Sequence, residues 1–252
     1  IAWRRRSVRP RRVVLLVDVS GSMSGYADAL LRLLERNVGA AHTGLQNAFY
    51  AILPSGDWTI ETKGAVVAGL VEVYPHALRG AIDMTAEMVA AWYDALAPDE
   101  PYSATVPDEL VTDERIAESI GWAIRTATTA ETALAQLAGS TQRVMLDAQR
   151  ATVASNAAAE GVRYRRRTNY AGACDWCLVM ATRGAVYTSA ASAVRGHDNC
   201  RCLAIPERPG TSYTTPAMVR DAEQRYITAR KELEAEGIVP TLDSIVKRMG
   251  SA

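Results

Sequence analysis

Apolar residues recur at helical spacing over most of the chain. Leu30, Leu34 and Val38 lie on one face of the first such stretch, and similar patterns follow it. The predicted helices cover residues 27–50, 61–96, 112–159 and 218–236. Pro75 predicts a kink or a short break in the second of them, because proline removes one helical hydrogen bond and crowds the preceding turn. The chain is therefore expected to be mainly α.

Strand-like patterns are confined to two parts of the chain. Residues 13–17 form a continuous run of valine and leucine, which is typical of a strand buried on both faces. Shorter runs at 162–168, 185–188 and 202–205 predict strands around an irregular segment that contains all four cysteines. We therefore expect a long helical body with a small Cys-containing α+β module, preceded by an isolated strand–loop–helix remnant.

These patterns divide the chain into four predicted segments. They are a basic arm with the first strand and loop (1–34), a helical body (35–161), a Cys/His module (162–210) and a C-terminal helical tail (211–252). One strand and one helix cannot bury both faces of residues 13–17 by themselves. We therefore expect residues 1–30 to be dispensable for the folding of the remainder.

The charge of the chain is balanced, with 28 Lys and Arg residues and 28 Asp and Glu residues. No net field draws it toward nucleic acid or a membrane surface. The arginines between residues 4 and 12 predict a solvated basic linker instead of a nucleic-acid arm, because no aromatic platform is interleaved with them. No stretch reaches the roughly 18 to 20 uncharged apolar residues that span a bilayer. We expect no membrane contact and a location in the cytosol.

Four cysteines fall close together as the pairs Cys174/Cys177 and Cys200/Cys202, with His197 among them. A Cys-x2-Cys turn places two thiolates close enough for one tetrahedral ion, and the second pair with His197 supplies more ligands than the four positions need. An extended Cys-x-Cys segment, however, sends its side chains to opposite faces unless a turn intervenes. Because cytosolic thiols are kept reduced, structural zinc comes first, one or two disulfides second, and unliganded thiols third.

Nucleophilic catalysis is a further alternative at the same place. A catalytic cysteine needs a histidine partner and an orienting group, which His197 and Asp198 could supply, but paired cysteines usually bind a metal or cross-link. The chain has no Gly-x-Ser-x-Gly elbow, and no serine lies at diagnostic spacing from its other histidines, His42 and His76. We expect no catalytic residues and no enzymatic activity.

Several short elements around the cysteines resemble one family of phage proteins. They are Arg-Arg-Thr-Asn at 166–169, Cys-Asp-Trp-Cys at 174–177, Arg-Gly-Ala-Val-Tyr at 183–187 and His-Asp-Asn-Cys-Arg-Cys at 197–202. With the helices before them, over about residues 35–210, they resemble the Mu F family of phage head morphogenesis proteins, and most closely the minor capsid proteins of actinobacterial phages and prophages. The His-x2-Cys-Arg-Cys element is the specific part of this resemblance.

The Mu F resemblance implies a structural role in procapsid assembly, within the virion or the host cytoplasm. Portal and capsid proteins are the implied partners, and the family is associated with packaged DNA. Some similar phage proteins are described as capsid maturation proteases, which is an alternative activity. The absence of a serine elbow and of a suitably placed histidine does not support that alternative.

The N-terminus carries a different resemblance. After residues 13–17, Asp18, Ser20 and Ser22 form a loop that resembles the first metal-binding loop of von Willebrand factor A domains, in particular of their CoxE-like branch. Carboxylate and hydroxyl oxygens at the end of a buried strand suit Mg²⁺. The alternative function is therefore a Mg-dependent protein-binding module. Its later Thr and Asp loops are not found in the sequence, and it would leave the cysteines unexplained.

Overall fold

Helices make up most of the computed structural model, which describes residues 23–53, 57–97, 101–108, 110–168, 172–188, 196–211 and 213–250. The helices are α1 (Met23–Ile52), α2 (Ile60–Ala95), α3 (Asp113–Thr126), α4 (Ala130–Glu160), α5 (Asp175–Thr182), α6 (Ala217–Ala235) and α7 (Leu242–Met249), and the strands are β1 (Arg163–Arg167) and β2 (Leu203–Glu207). The predicted mainly α class is confirmed. Among the described residues, no helix combines the length and apolar content needed to cross a bilayer.

Hydrogen bonds from short polar side chains set several helix starts. The Thr112 side chain accepts from the backbone N–H of Arg115 and begins α3, and Thr129 accepts from Thr132 and begins α4. The helical stretch predicted over 112–159, for which the sequence offers Gly139 and Ser140 as a division, is two helices that separate at residues 127–129, and α4 runs through Gly139 and Ser140. At the other end of α4, Gly161 adopts a φ of 79°, a left-handed conformation that glycine enters without strain.

The break predicted at Pro75 is not present, since α2 runs through this residue without interruption. Leu70 and Leu78, on either side of the proline, are both buried in the same apolar core. Packing on both sides offsets the cost of the hydrogen bond that proline cannot make, which is about 3 kcal/mol in a helix interior. Tertiary contacts thus decide this position against local preference.

The first apolar core lies where the first four helices, α1 to α4, meet. Leu45 of α1, Leu70 of α2, Ile120 of α3 and Leu137 of α4 are all buried in it. A second core joins the first half of α1 and the end of α2 to α4 and the small sheet. Because α4 contributes to both cores, it connects the helical body to the cysteine-containing module.

The boundary predicted after residue 34 falls inside α1 and has to be corrected. Ala27, Leu30 and Leu34 are at most 1% exposed and pack with Tyr93 and Tyr164 in the second core. Residues 27–34 therefore belong to the helical body and are not an isolated remnant. Residues 13–17 and the loop after them lie outside the described residues, and the other predicted boundaries stay predictions.

A two-stranded antiparallel sheet supports the module. β1 pairs with β2 so that Arg163 lies opposite Glu207 and Arg167 opposite Leu203. The strand predicted at 185–188 contributes a single bridge, in which the backbones of Tyr187 and Tyr164 exchange hydrogen bonds of 3.0 and 3.3 Å. The strands predicted at 162–168 and 202–205 are present with shifted ends.

The two C-terminal helices pack on α5. Leu178 and Val179 of α5 share a third apolar core with Val219 of α6 and Ile245 of α7. α5 therefore lies between the module and the C-terminal tail. Any group that holds α5 in place therefore also holds the surface against which α6 and α7 pack.

Gln149 of α4 completes the edge of β2 that faces away from β1. Its side-chain amide donates to the carbonyl of Ala204 at 2.9 Å and accepts from the N–H of the same residue at 3.0 Å. Both residues are fully buried. Gln149→Leu should therefore lower the free energy of unfolding by about 3 kcal/mol, because it leaves a buried backbone donor and acceptor without partners.

Urea unfolding followed by circular dichroism measures this loss. The control is Gln136→Leu, which makes the same change on the half-exposed surface of α4 and should alter stability by less than about 0.5 kcal/mol. Equal effects of the two substitutions would contradict a specific role of Gln149 at the sheet edge.

Candidate metal centre

The two cysteines of the Cys-x2-Cys pair are positioned by the start of α5. Cys174 is the N-cap residue, and its sulfur accepts a hydrogen bond from the backbone N–H of Cys177 at 3.4 Å. Cys177 then lies in the first turn with its side chain turned inward, at 3% exposure. The helix start thus points two sulfurs to one side, as the spacing predicts.

A turn brings the second pair of sulfurs to the same side as the first. Asn199 has a φ of 62°, and the N–H of Cys200 donates to the carbonyl of His197 at 3.1 Å. β2 begins only at Leu203, so Cys200 and Cys202 precede the regular strand. Their sulfurs lie 2.8 Å apart instead of on opposite faces. The alternation of a regular strand therefore does not apply to Cys200 and Cys202, which precede β2.

The structure brings all five predicted ligands together, in two groups that share Cys177. In one group, His197 Nε2 lies 2.7 Å from the Cys174 sulfur and 3.6 Å from the Cys177 sulfur. In the other, the Cys177 sulfur lies 3.2 Å from that of Cys200 and 3.4 Å from that of Cys202. Either group could hold a metal ion such as zinc.

The sulfur separations are those of neither a disulfide nor a relaxed zinc site. All four cysteines are free, and a disulfide would require about 2.05 Å between the sulfurs. Tetrahedral bonds of about 2.3 Å from zinc to sulfur imply about 3.7 Å between two ligand sulfurs. The side chains therefore need to move apart by less than about 1 Å to accept an ion, and Cys177 is common to both groups.

His197 is oriented as a metal ligand would be. Its Nδ1 donates to the carbonyl oxygen of Asp198 at 2.7 Å, and the carboxylate of Asp198 is held by Nε of Arg143 at 2.7 Å. With the proton on Nδ1, the lone pair of Nε2 faces the sulfurs of Cys174 and Cys177. A carbonyl that fixes the other ring nitrogen is the usual support of a metal-bound histidine.

The environment favours charge separation on the exposed side of the cluster. A hydrogen bond from the Cys177 thiol lowers the pKa of Cys174 to about 5, against its partial burial. The same hydrogen bonding raises the pKa of Cys177. Burial lowers the pKa of His197, but its hydrogen bonds to Asp198 and Cys174 outweigh this and raise it. A thiolate at Cys174 is a form that can bind a metal ion.

The buried side of the cluster contains two arginines that the sequence analysis did not assign to the site. Arg150 donates to the carbonyl oxygen of Cys202 at 2.7 Å, and Arg166 donates to the sulfur of the same residue. Hydrogen bonds from the Cys177 and Cys200 thiols, and then the two guanidinium charges, hold the pKa of Cys202 well below its usual range in spite of burial. Arg150 could have been noticed, because it lies on the apolar face of α4 between Leu146 and Val153.

The second predicted site lies outside the described residues. Asp18, Ser20 and Ser22 all precede Met23, where the described part of the chain begins. A magnesium site at these residues therefore stays a prediction.

Comparison with known proteins assigns most of the chain to one family. The model of the VG15 protein family matches residues 28–229, which include most of α1, all of α2, α3 and α4, and all five candidate ligands. The chain belongs to the VG15 protein family. VG15 is a phage-related family, so the predicted phage origin is confirmed, whereas Mu F itself is not identified.

A second family model matches the N-terminus only. It describes CoxE-like proteins that contain a von Willebrand factor A domain, and it covers residues 1–49. This agrees with the resemblance of the first loop, and it overlaps the VG15 match along α1. No curated protein and no solved structure gives a significant match.

Proposed function

We propose that this VG15 protein is a structural component of a phage or prophage head, of the Mu F-like minor capsid type, that acts in procapsid assembly near the portal. The VG15 match through the helical body and the cysteine module is the observation that carries this proposal. Portal and capsid proteins are its proposed partners, in the host cell and in the virion. We propose that the protein has a structural and not an enzymatic role.

We also propose that the cysteine cluster binds one zinc ion as a structural staple. The ligands come from the start of α5 and from residues 197–202, which lead into β2. α5 carries the tail helices, and β2 is fixed to α4 through Gln149. A single ion would therefore fasten the tail-bearing helix to the helical body, in a module that has little regular structure of its own.

Assembly with a capsid tests the proposed function. When the full chain is produced together with the portal, scaffold and major capsid proteins of the phage or prophage that encodes it, we expect a few copies to sediment with the procapsids. In parallel, particles assembled without portal protein should contain less of the chain. Particles that form normally while the chain stays at the top of the gradient would contradict the proposal.

The CoxE-like match supports a second candidate, a Mg-dependent protein-binding module at the N-terminus. Asp18, Ser20 and Ser22 would supply its oxygen ligands. Titration of the full chain with Mg²⁺ separates the candidates, because only a working site of this kind loses a binding event in Asp18→Ala.

A further inference from the structure

Two buried positive charges lie against the sulfur cluster. Arg150 and Arg166 are at most 1% exposed, the first on α4 and the second on β1. Arginine keeps its charge under all ordinary conditions, and moving such a charge out of water is costly unless an anion compensates it. The positions of both side chains therefore favour a negative charge on the sulfur of Cys202, which both guanidinium groups approach.

Arg166 is held between the cluster and an aromatic ring. Its Nη2 donates to the sulfur of Cys202, and its guanidinium carbon lies 5.6 Å from the ring centre of Trp176. Trp176 stands between the two cysteines of the first pair and packs edge-on to His197, with 6.2 Å between ring centres. The Arg166 guanidinium therefore donates to the Cys202 sulfur from a position beside Trp176, whose ring also packs against the candidate ligand His197.

Arg150 approaches the same cysteine from α4. It donates to the carbonyl oxygen of Cys202 at 2.7 Å, and its Nη1 lies 4.0 Å from the sulfur. It also pairs with Asp147, whose carboxylate accepts from the N–H of Gly196 at 3.0 Å. A Cβ at Gly196 would collide with the guanidinium, so the chain approaches Arg150 as closely as glycine allows.

We propose that Arg150 and Arg166 compensate the negative charge of a zinc–thiolate centre and thereby favour a ligand set with at least three thiolates. Zinc with three thiolates and a neutral imidazole carries one net negative charge, and zinc with four thiolates carries two. Two guanidinium groups, one of them shared with Asp147, match that charge. Disulfides or neutral thiols would offer these two guanidinium groups no charged acceptor at Cys202. This inference rests on the proposed zinc staple and names the residues that tune it.

The arginines are positioning residues, because they act on the ion through the Cys202 sulfur. Arg166→Gln removes one charge and should weaken zinc binding by about tenfold to a hundredfold, as loss of a residue that supports a metal ligand typically does. Competition with a chromophoric chelator at fixed pH measures the affinity. The matched control is Arg165→Gln on the same strand, where the lost charge pairs with Glu207 and not with sulfur. We expect it to change zinc affinity by less than about threefold, since it leaves the ligands and their partners intact.

A second measurement separates charge compensation from general stability. The increase in Tm that zinc causes, relative to chelator-treated protein, should be smaller in Arg166→Gln than in Arg165→Gln. Equal losses of Tm with and without zinc, at unchanged zinc affinity, would show a merely structural role and overturn the inference. Wild-type protein that binds no zinc would instead overturn the staple itself.

If Arg166→Gln does not fold, Arg166→Lys, which keeps the positive charge, tests whether the charge or the hydrogen-bond geometry supports zinc binding. Its zinc affinity should stay within about threefold of the wild-type value, because the ammonium still compensates the sulfur. The charge-transfer bands of the cobalt-substituted protein should report the same number of thiolates. A loss of tenfold or more with the charge retained would show that the hydrogen-bond geometry is what matters, and the charge inference would fail.

Discussion

Cys177→Ser is expected to abolish zinc binding, from about one ion per chain to almost none, and to destabilise the protein strongly. Cys177 is the one residue shared by both groups of candidate ligands, so neither group stays complete without it. Metal binding to such sites contributes directly to folding, by as much as about 10 kcal/mol in the smallest zinc domains. In this larger chain we expect a loss of several kcal/mol, concentrated in the module and the tail.

Zinc content by mass spectrometry and thermal unfolding with and without a chelator measure these effects. Ala181→Ser is the control, because it places a serine one turn further along α5, on the side that packs against the tail helices. It should keep the zinc. A wild-type chain that is metal-free and contains a cross-link that reductant breaks would contradict the staple and favour disulfides.

The grouping of the five candidate ligands was predictable from the sequence, but its geometry was not. Four cysteines and a histidine at short spacings predict a shared site, and the structure brings all five together. The objection to Cys200 and Cys202 was that alternation separates their side chains. It fails because Cys200 and Cys202 precede β2 and do not belong to a regular strand, and the sequence pattern does not show where the strand begins.

The role of the two arginines was also beyond the sequence. Arg166 was visible only as part of a short family motif, and it is one of three consecutive arginines in β1. Strand alternation places Arg165 and Arg166 on opposite faces, but nothing in the sequence shows which face meets the cysteines. That choice depends on the pairing of β1 with β2 and on the packing of both against α4.

The helical pattern was a better guide to the N-terminal boundary than the motif was. The spacing of Leu30, Leu34 and Val38 predicts one continuous helix, which α1 confirms. The loop at Asp18 predicts instead a boundary after residue 34, where the resemblance to von Willebrand factor A domains ends. Burial of Ala27 and Leu30 shows that the helix serves the core on both sides of that boundary.

Removing the first part of α1 should therefore destabilise the protein, contrary to the expectation from the sequence. A chain that begins at Leu33 loses Ala27 and Leu30 from the second core and the carboxylate of Asp28, which pairs with the buried Arg167 at 2.7 Å. Leu30→Ala alone should lower the free energy of unfolding by about 3 kcal/mol, through lost burial and the cavity left behind. The truncated chain should lose more than that, because the ion pair is lost as well.

Urea unfolding of the chain that begins at Leu33, of Leu30→Ala and of Leu33→Ala tests this prediction. The chain that begins at Met23 is the reference for the truncation, so that their difference reports residues 23–32 alone. Leu33→Ala is the matched substitution on the part-exposed side of the same helix and should cost less than about 1 kcal/mol. If the chain beginning at Leu33 were as stable as the reference, the first turns of α1 would not belong to the core. A large loss would instead show that the VG15 fold includes the helix that the CoxE-like match also covers, because residues 28–49 are common to the two matches.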